Sequence, residues 1–178
     1  TVANVPGSTI RNLNATSASL QYLPALTVAK TFLTNPVQVG GTSRVRITLG
    51  NTGNGQLTGV SATDPLTGTG LTIATPANAS STCAGPVVLN VPDGGNTAAI
   101  SGATIAGTST CDFLFDVVTS TGTASVNTLA PGAVTADGGV ASTTTTTATL
   151  NKVTSSVNLT KAFSPSTIAG PGSVSRLT

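Results

Sequence analysis

The sequence contains no histidine, methionine, tryptophan or glutamate, and only 7% of its residues are charged. Without histidine, the usual general base of serine and cysteine hydrolases is missing, together with the commonest metal ligand. Without glutamate, a glycosidase-type carboxylate pair would have to come from five aspartates that are scattered along the chain. These absences predict a protein that is not an enzyme and that needs no metal or cofactor.

Aromatic residues make up only 3% of the chain, and the seven lysines and arginines are dispersed. Nucleic-acid binding normally requires a basic surface or an aromatic platform on which bases stack. No apolar run approaches the roughly 18 residues that a membrane-spanning helix needs. We therefore expect neither a nucleic-acid partner nor a membrane-spanning segment.

The residues that are abundant favour β structure. Threonine, valine and isoleucine are strong strand formers, and 20 glycines and 10 prolines interrupt the chain at short intervals. No stretch shows a helical period of apolar residues, whereas several alternate with period two. The pattern predicts an all-β protein, an antiparallel immunoglobulin-like β-sandwich. The predicted strands lie near residues 26–32, 43–50, 55–63, 70–75, 86–91, 97–101, 110–118, 123–129 and 143–150.

Two segments of the chain repeat each other. Residues 30–48, "KTFLTNPVQVGGTSRVRIT", align with residues 161–178, "KAFSPSTIAGPGSVSRLT", after one deletion. A weaker similarity links residues 14–23 with residues 144–153. Both pairs are offset by roughly 130 residues, which is the size of one domain. The offset predicts a tandem repeat of whole domains.

This period divides the chain into three parts. We expect residues 1–25 to be the tail of a preceding repeat and residues 26–156 to form one complete repeat. Residues 157–178 would supply the first strands of a following repeat, or a strand donated to a neighbour. Because such short ends cannot bury a core of their own, we expect head-to-tail contact with copies of the same protein in a filament or continuous stalk.

Several motifs resemble a known family. They are "LTGVSATDPL" (57–66), the pair "STC" (81–83) and "STCDF" (109–113), and the duplicated lysine segment described above. In combination these motifs resemble the immunoglobulin-like conserved repeats of large, adhesin-type bacterial cell-surface proteins. The resemblance implies a structural or adhesive repeat of an extracellular surface fibre or stalk, without catalytic activity. The alternative is an extracellular module that binds a carbohydrate or a protein through its loops.

Cys83 and Cys111 are the only cysteines. An even number of cysteines in an oxidising, extracellular compartment predicts a disulfide. Two buried free thiols are the alternative.

Lys30 interrupts the apolar alternation of "LTVAKTF" (26–32) on the face that should point to the core. Asp64 follows Val60 and Ala62 with the same alternation, so it also should point inward. Three interpretations stay open: an exposed lysine, a buried Lys30–Asp64 ion pair, or an isopeptide bond of the kind found in surface adhesin domains. In the third, Lys30 would attack the carboxamide of Asn127 while Asp64 transfers protons.

Overall fold

The computed structural model describes residues 26–120, 122, 124–154 and 158–177. This part of the chain is all-β, with one 3-10 turn at Asp137–Gly139 and no α-helix. The predicted tail of a preceding repeat, residues 1–25, lies outside the described residues. The strands are β1 (Leu26–Phe32), β2 (Val37–Gln38), β3 (Thr42–Asn51), β4 (Leu57–Pro65), β5 (Leu71–Ile73), β6 (Ser80–Ser81), β7 (Val88–Asn90), β8 (Thr97–Ile105), β9 (Ser109–Thr119), β10 (Ala124–Leu129), β11 (Val134–Ala136), β12 (Val140–Ala141), β13 (Thr146–Val153), β14 (Phe163–Ser164) and β15 (Arg176–Leu177).

Each of the nine predicted strand segments overlaps an observed strand, so the prediction of an all-β chain is confirmed. The additional strands that were not predicted are two or three residues long: β2, β6, β11 and β12. The two-residue strands β14 and β15 lie within residues 157–178, where strands were predicted without bounds.

The first sheet is antiparallel, with the order β1-β3-β9-β5 and with β6 also paired to β9. Strands β3 and β9 pair from Thr42 opposite Val118 to Asn51 opposite Ser109. Their inward side chains alternate as the sequence predicts, and these residues are buried: Val45, Ile47, Leu49, Cys111, Phe113, Phe115 and Val117.

The second sheet is also antiparallel, with the order β12-β11-β4-β8-β7. A third, smaller sheet has the order β10-β13-β2, in which β13 and β2 run parallel. Strand β10 contacts β4, and β13 contacts β1, so the small sheet touches both larger ones.

One hydrophobic core lies among these three sheets. It receives side chains from the first sheet, such as Ile47 and Phe113, from the second, such as Val60, and from the third, such as Leu150. The rings of Phe113 and Phe115 lie 5.2 Å apart between centroids. Because the sheets share this core, residues 26–153 can stabilise each other through apolar burial.

The chain enters and leaves this unit at opposite ends of β3. Leu26 at the start of β1 pairs with Asn51 at the end of β3. At the other end of the unit, the amide of Val39 donates to the carbonyl of Val153, 3.2 Å away, three residues before β3 begins. Ten residues of β3 span about 30 Å at the usual rise of a strand.

Residues 158–177 form a separate two-stranded sheet, in which Phe163 pairs with Leu177. Here the segment aligned with β1 pairs antiparallel with the segment aligned with β3, as β1 itself pairs with β3. Leu159 and Phe163 are 87% and 58% exposed. These apolar side chains therefore have no sheet packed over them among the described residues.

We expect Phe113→Ala to destabilise the protein by about 3–5 kcal/mol, because it removes a fully buried ring from a packed core. The free energy of unfolding can be measured in urea with the disulfide intact. The control is Val126→Ala on the exposed face of β10, where we expect a change within about 0.5 kcal/mol. Equal losses for the two variants would contradict the assigned core.

Candidate functional site

A lysine, an aspartate and an asparagine meet inside the core. Lys30 reaches it from β1, where Leu26, Val28, Lys30 and Phe32 share the more buried face. Its side chain has a relative exposure of 0%. The interpretation of Lys30 as an exposed residue is therefore wrong, because the strand alternation takes its side chain inward rather than to solvent.

Asp64 reaches the same place because β4 contains irregular pairing. Leu57 pairs with Ile105 on β8, and the next pair is Val60 with Ala103. Between these two pairs β4 has one residue more than β8. Gly59 lies at this bulge with φ of 60°, a left-handed conformation that glycine adopts easily. The bulge sets the alternation that follows, so Asp64 points to the core and its side chain is fully buried.

Asn127 comes from β10, in which Ser125, Asn127 and Leu129 share the buried face. Asn127 is 0% exposed, although asparagine is a residue that usually lies at the surface. The three strands that carry the cluster are distant in sequence, and contact between β10 and β4 brings Asn127 beside Asp64.

The three side chains converge on a single oxygen atom. The Lys30 Nζ lies 2.5 Å from Asp64 Oδ2, and Asn127 Nδ2 donates a hydrogen bond to the same oxygen at 3.2 Å. The Lys30 and Asn127 nitrogens can therefore be no farther apart than those two distances combined. Asp64 Oδ1 and Asn127 Oδ1 are buried without a hydrogen-bond partner among the described residues. Unpaired buried acceptors are costly and uncommon in folded proteins.

Burial governs the electrostatics of this cluster. It lowers the pKa of the Lys30 amine, while the attraction and hydrogen bond of Asp64 act in the opposite direction. It raises the pKa of the Asp64 carboxyl, against the opposing effects of Lys30 and of the Asn127 hydrogen bond. Burial therefore acts on both groups in the direction of their neutral forms, an amine and a carboxylic acid, while the attraction between them acts in the direction of the ion pair.

A disulfide joins Cys83, which follows β6, to Cys111 in β9, so the cysteine prediction is confirmed. The sulfurs are 2.05 Å apart and the Cα atoms 4.8 Å apart. The bond fixes the short edge strand β6 and the segment after it to the long central strand β9.

A second buried lysine, Lys152, was missed by sequence reasoning. It lies on β13 in line with the buried residues Ala148 and Leu150, so the signal that singled out Lys30 was also present here. A Cβ atom placed on Gly70 would lie 3.4 Å from the Lys152 Nζ.

The described residues contain no group of three or more histidine, cysteine, aspartate or glutamate side chains arranged to hold a metal ion. They also include no helix long and apolar enough to cross a membrane.

Comparison with known proteins places the chain in a family. The family model described as "Domain of unknown function (DUF7933)" matches residues 26–152. The chain belongs to this family. No curated protein matches the DUF7933 chain.

Two solved structures show distant similarity to the DUF7933 chain. The bacterial hydrophobin BslA is 11% identical with a TM-score of 0.46, covering 75% of this chain and 97% of that one. A chain from a crystallised complex of CaDoc0917 and CaCohA2 is 12% identical with a TM-score of 0.36, covering 70% of this chain and 100% of that one. Neither similarity is close enough to support an inference about the fold or function of the DUF7933 chain.

Replacing both cysteines, Cys83→Ala with Cys111→Ala, should lower the stability of the DUF7933 domain by roughly 3–4 kcal/mol, because the closed loop of 28 residues no longer restricts the unfolded chain. The free energy of unfolding in urea, measured without reductant, checks this. Wild-type protein unfolded with reductant should match the double variant. A double variant as stable as the oxidised wild type would refute the prediction.

Proposed function

We propose that this chain is a structural or adhesive, non-catalytic repeat of an extracellular bacterial surface fibre or stalk. In fold terms we propose a tandem array of immunoglobulin-like β-sandwiches, in which the two larger sheets face each other across the common core. The proposed location is the cell exterior, with which the intramolecular disulfide is compatible.

The observation that carries this proposal is the position of the two ends of the unit. The chain enters beside Asn51 and leaves beside Val39, at opposite ends of the long strand β3. Domains joined in this way follow one another in a line, with the length of each added to the next. A stalk requires this arrangement. If the first and last residues of a domain lay at the same end, the domain would project sideways and add little to the length of the fibre.

The contacts and the disulfide that connect distant strands of the unit are also suited to an exposed fibre. Lys30, Asp64 and Asn127 connect β1, β4 and β10, and the disulfide connects the β6 region to β9. An extracellular fibre has no chaperones or reducing systems to restore an unfolded domain. Bonds between strands that are distant in sequence oppose such unfolding.

The rival function, a loop-based binding module, has less support. Three of the four phenylalanines, Phe32, Phe113 and Phe115, are buried. Phe163 is the exposed aromatic residue among those described, and it lies outside the unit of residues 26–153. A carbohydrate or protein site on the loops would therefore lack the aromatic anchors that dominate most binding surfaces.

We expect antibodies raised against residues 26–152 to label intact cells that produce the protein. The reason is that a surface stalk exposes its repeats without permeabilisation. Immunofluorescence and immunogold microscopy would show the label at or beyond the cell boundary, with a cytoplasmic protein as the unlabelled control. Labelling that appears only after permeabilisation would overturn the proposed function.

We also propose that copies of the chain associate head to tail, because Leu159 and Phe163 expose apolar surface at one end. Light scattering of residues 1–178 should give masses above that of a monomer, and residues 26–154 alone should be monomeric. Leu159→Ser with Phe163→Ser should abolish association, whereas Val126→Ser, an equally exposed change on β10, should not. A compact monomer of the full chain would contradict this proposal.

A further inference from the structure

We propose that Lys30 and Asn127 become joined by an intramolecular isopeptide bond, with Asp64 transferring the proton between them. This modification goes beyond the proposed function and does not depend on it, because the reacting groups all belong to one unit. The inference starts from their positions: Asp64 Oδ2 touches both the Lys30 Nζ and the Asn127 Nδ2 in a site closed to solvent.

The reaction needs no group that the site does not contain. The lone pair of the neutral Lys30 amine attacks Cγ of Asn127, forming a bond between Nζ and Cγ. Asp64, as the carboxylic acid, delivers its proton to Nδ2 and, as the resulting carboxylate, takes one from Nζ. The bond between Cγ and Nδ2 then breaks and ammonia leaves. One amine and one carboxamide give one secondary amide and one ammonia, and Asp64 ends in the protonation state in which it began.

The environment prepares each group for its part. Desolvation lowers the pKa of Lys30 and raises that of Asp64, so less free energy is needed to reach the neutral amine and carboxylic acid here than in water. A carboxylic acid on Asp64 can donate a hydrogen bond to the carbonyl of Asn127 once the amide turns by half a rotation. That hydrogen bond draws charge from the carbonyl and makes its carbon a better electrophile.

The two unpartnered oxygens support the same conclusion. Asp64 Oδ1 and Asn127 Oδ1 are both buried without a hydrogen bond among the described residues. In the product, the new amide N–H donates to one oxygen of Asp64, and the protonated oxygen of Asp64 donates to the new amide carbonyl. The bonded form therefore satisfies acceptors that the unbonded form leaves unpaired.

The decisive measurement is the intact mass of the folded, then denatured and reduced, wild-type chain. Because attack by the lysine amine on the carboxamide expels ammonia, this mass should be about 17 Da below that of the sequence. Trypsin should then leave residues 12–44 uncut at Lys30 and joined to residues 47–152, which contain Asn127. A full sequence mass for the wild type would overturn the proposal, whatever the variants do.

Matched variants separate this bond from other losses of ammonia. Lys30→Arg keeps the positive charge but removes the attacking amine, and should restore the full mass, as should Asn127→Ala. Lys152→Arg alters the other buried lysine among the described residues and should keep the loss. A succinimide at Asn54, which precedes Gly55, would also expel ammonia but would persist in Lys30→Arg. Persistence of the loss in that variant would refute the proposal.

The role of Asp64 has its own test. Asp64→Ala should show the full sequence mass, because nothing else at the site can carry the proton. If this variant fails to fold, time-resolved mass spectrometry of wild-type chain that was synthesised and kept unfolded, so that no bond has formed, replaces it as the chain folds in reductant. The mass loss should follow the appearance of folded structure, since the cluster exists only in the folded chain. A loss that also occurs in the fully unfolded chain would overturn the assignment of Asp64.

Discussion

The loss of water around Lys30 and Asp64 is the constraint on which the rest of this unit depends. A charge moved from water into an apolar core loses several kcal/mol of hydration, and an imperfectly placed partner does not restore that loss. Contact between Lys30 Nζ and Asp64 Oδ2 therefore requires β1 and β4 to hold their registers closely. A slip of one residue in either strand would turn one side chain outward and leave the other charge alone in the core.

The strands meet that requirement in different ways. In β1 and β10 a plain alternation suffices, and Lys30 and Asn127 simply occupy inward positions. In β4 an additional residue is accommodated near Gly59, and a second irregularity follows on β8 near Gly102, whose φ is 72°. The bulge at Gly59 therefore affects the cluster from a distance, because it determines which face of β4 carries Asp64.

Much of this could be predicted from the sequence because the information is local. Period-two alternation and turn spacing located nine strands and the inward direction of Lys30, Asp64 and Cys111, and the cysteine count led to the disulfide. Strands of two residues, such as β2 and β6, are too short to show a period and are defined only by the strand they pair with. The contact between β10 and β4 likewise depends on how the sheets pack against each other, so the local sequence does not predict it. Chain order suggested Asn127, but its hydrogen bond to Asp64 and the orphan oxygens could be found only in three dimensions.

The disulfide loop, residues 83–111, lies within the stretch between Lys30 and Asn127. Resistance to heat and denaturant therefore has a different structural origin from resistance to pulling force. In the proposed stalk, tension would enter at β1 and leave at β13. These two strands contact each other directly, and Thr146 Oγ1 donates to the carbonyl of Val28 at 3.2 Å. Cys111 lies on β9, which β3 separates from β1, and Cys83 follows β6, which pairs with β9. The disulfide therefore raises the free energy of thermal and denaturant unfolding, because it restricts the unfolded chain. A pulling force would instead be opposed first by the contacts between β1 and β13. Reduction alone should leave a domain that melts earlier and yields to force at nearly the same load.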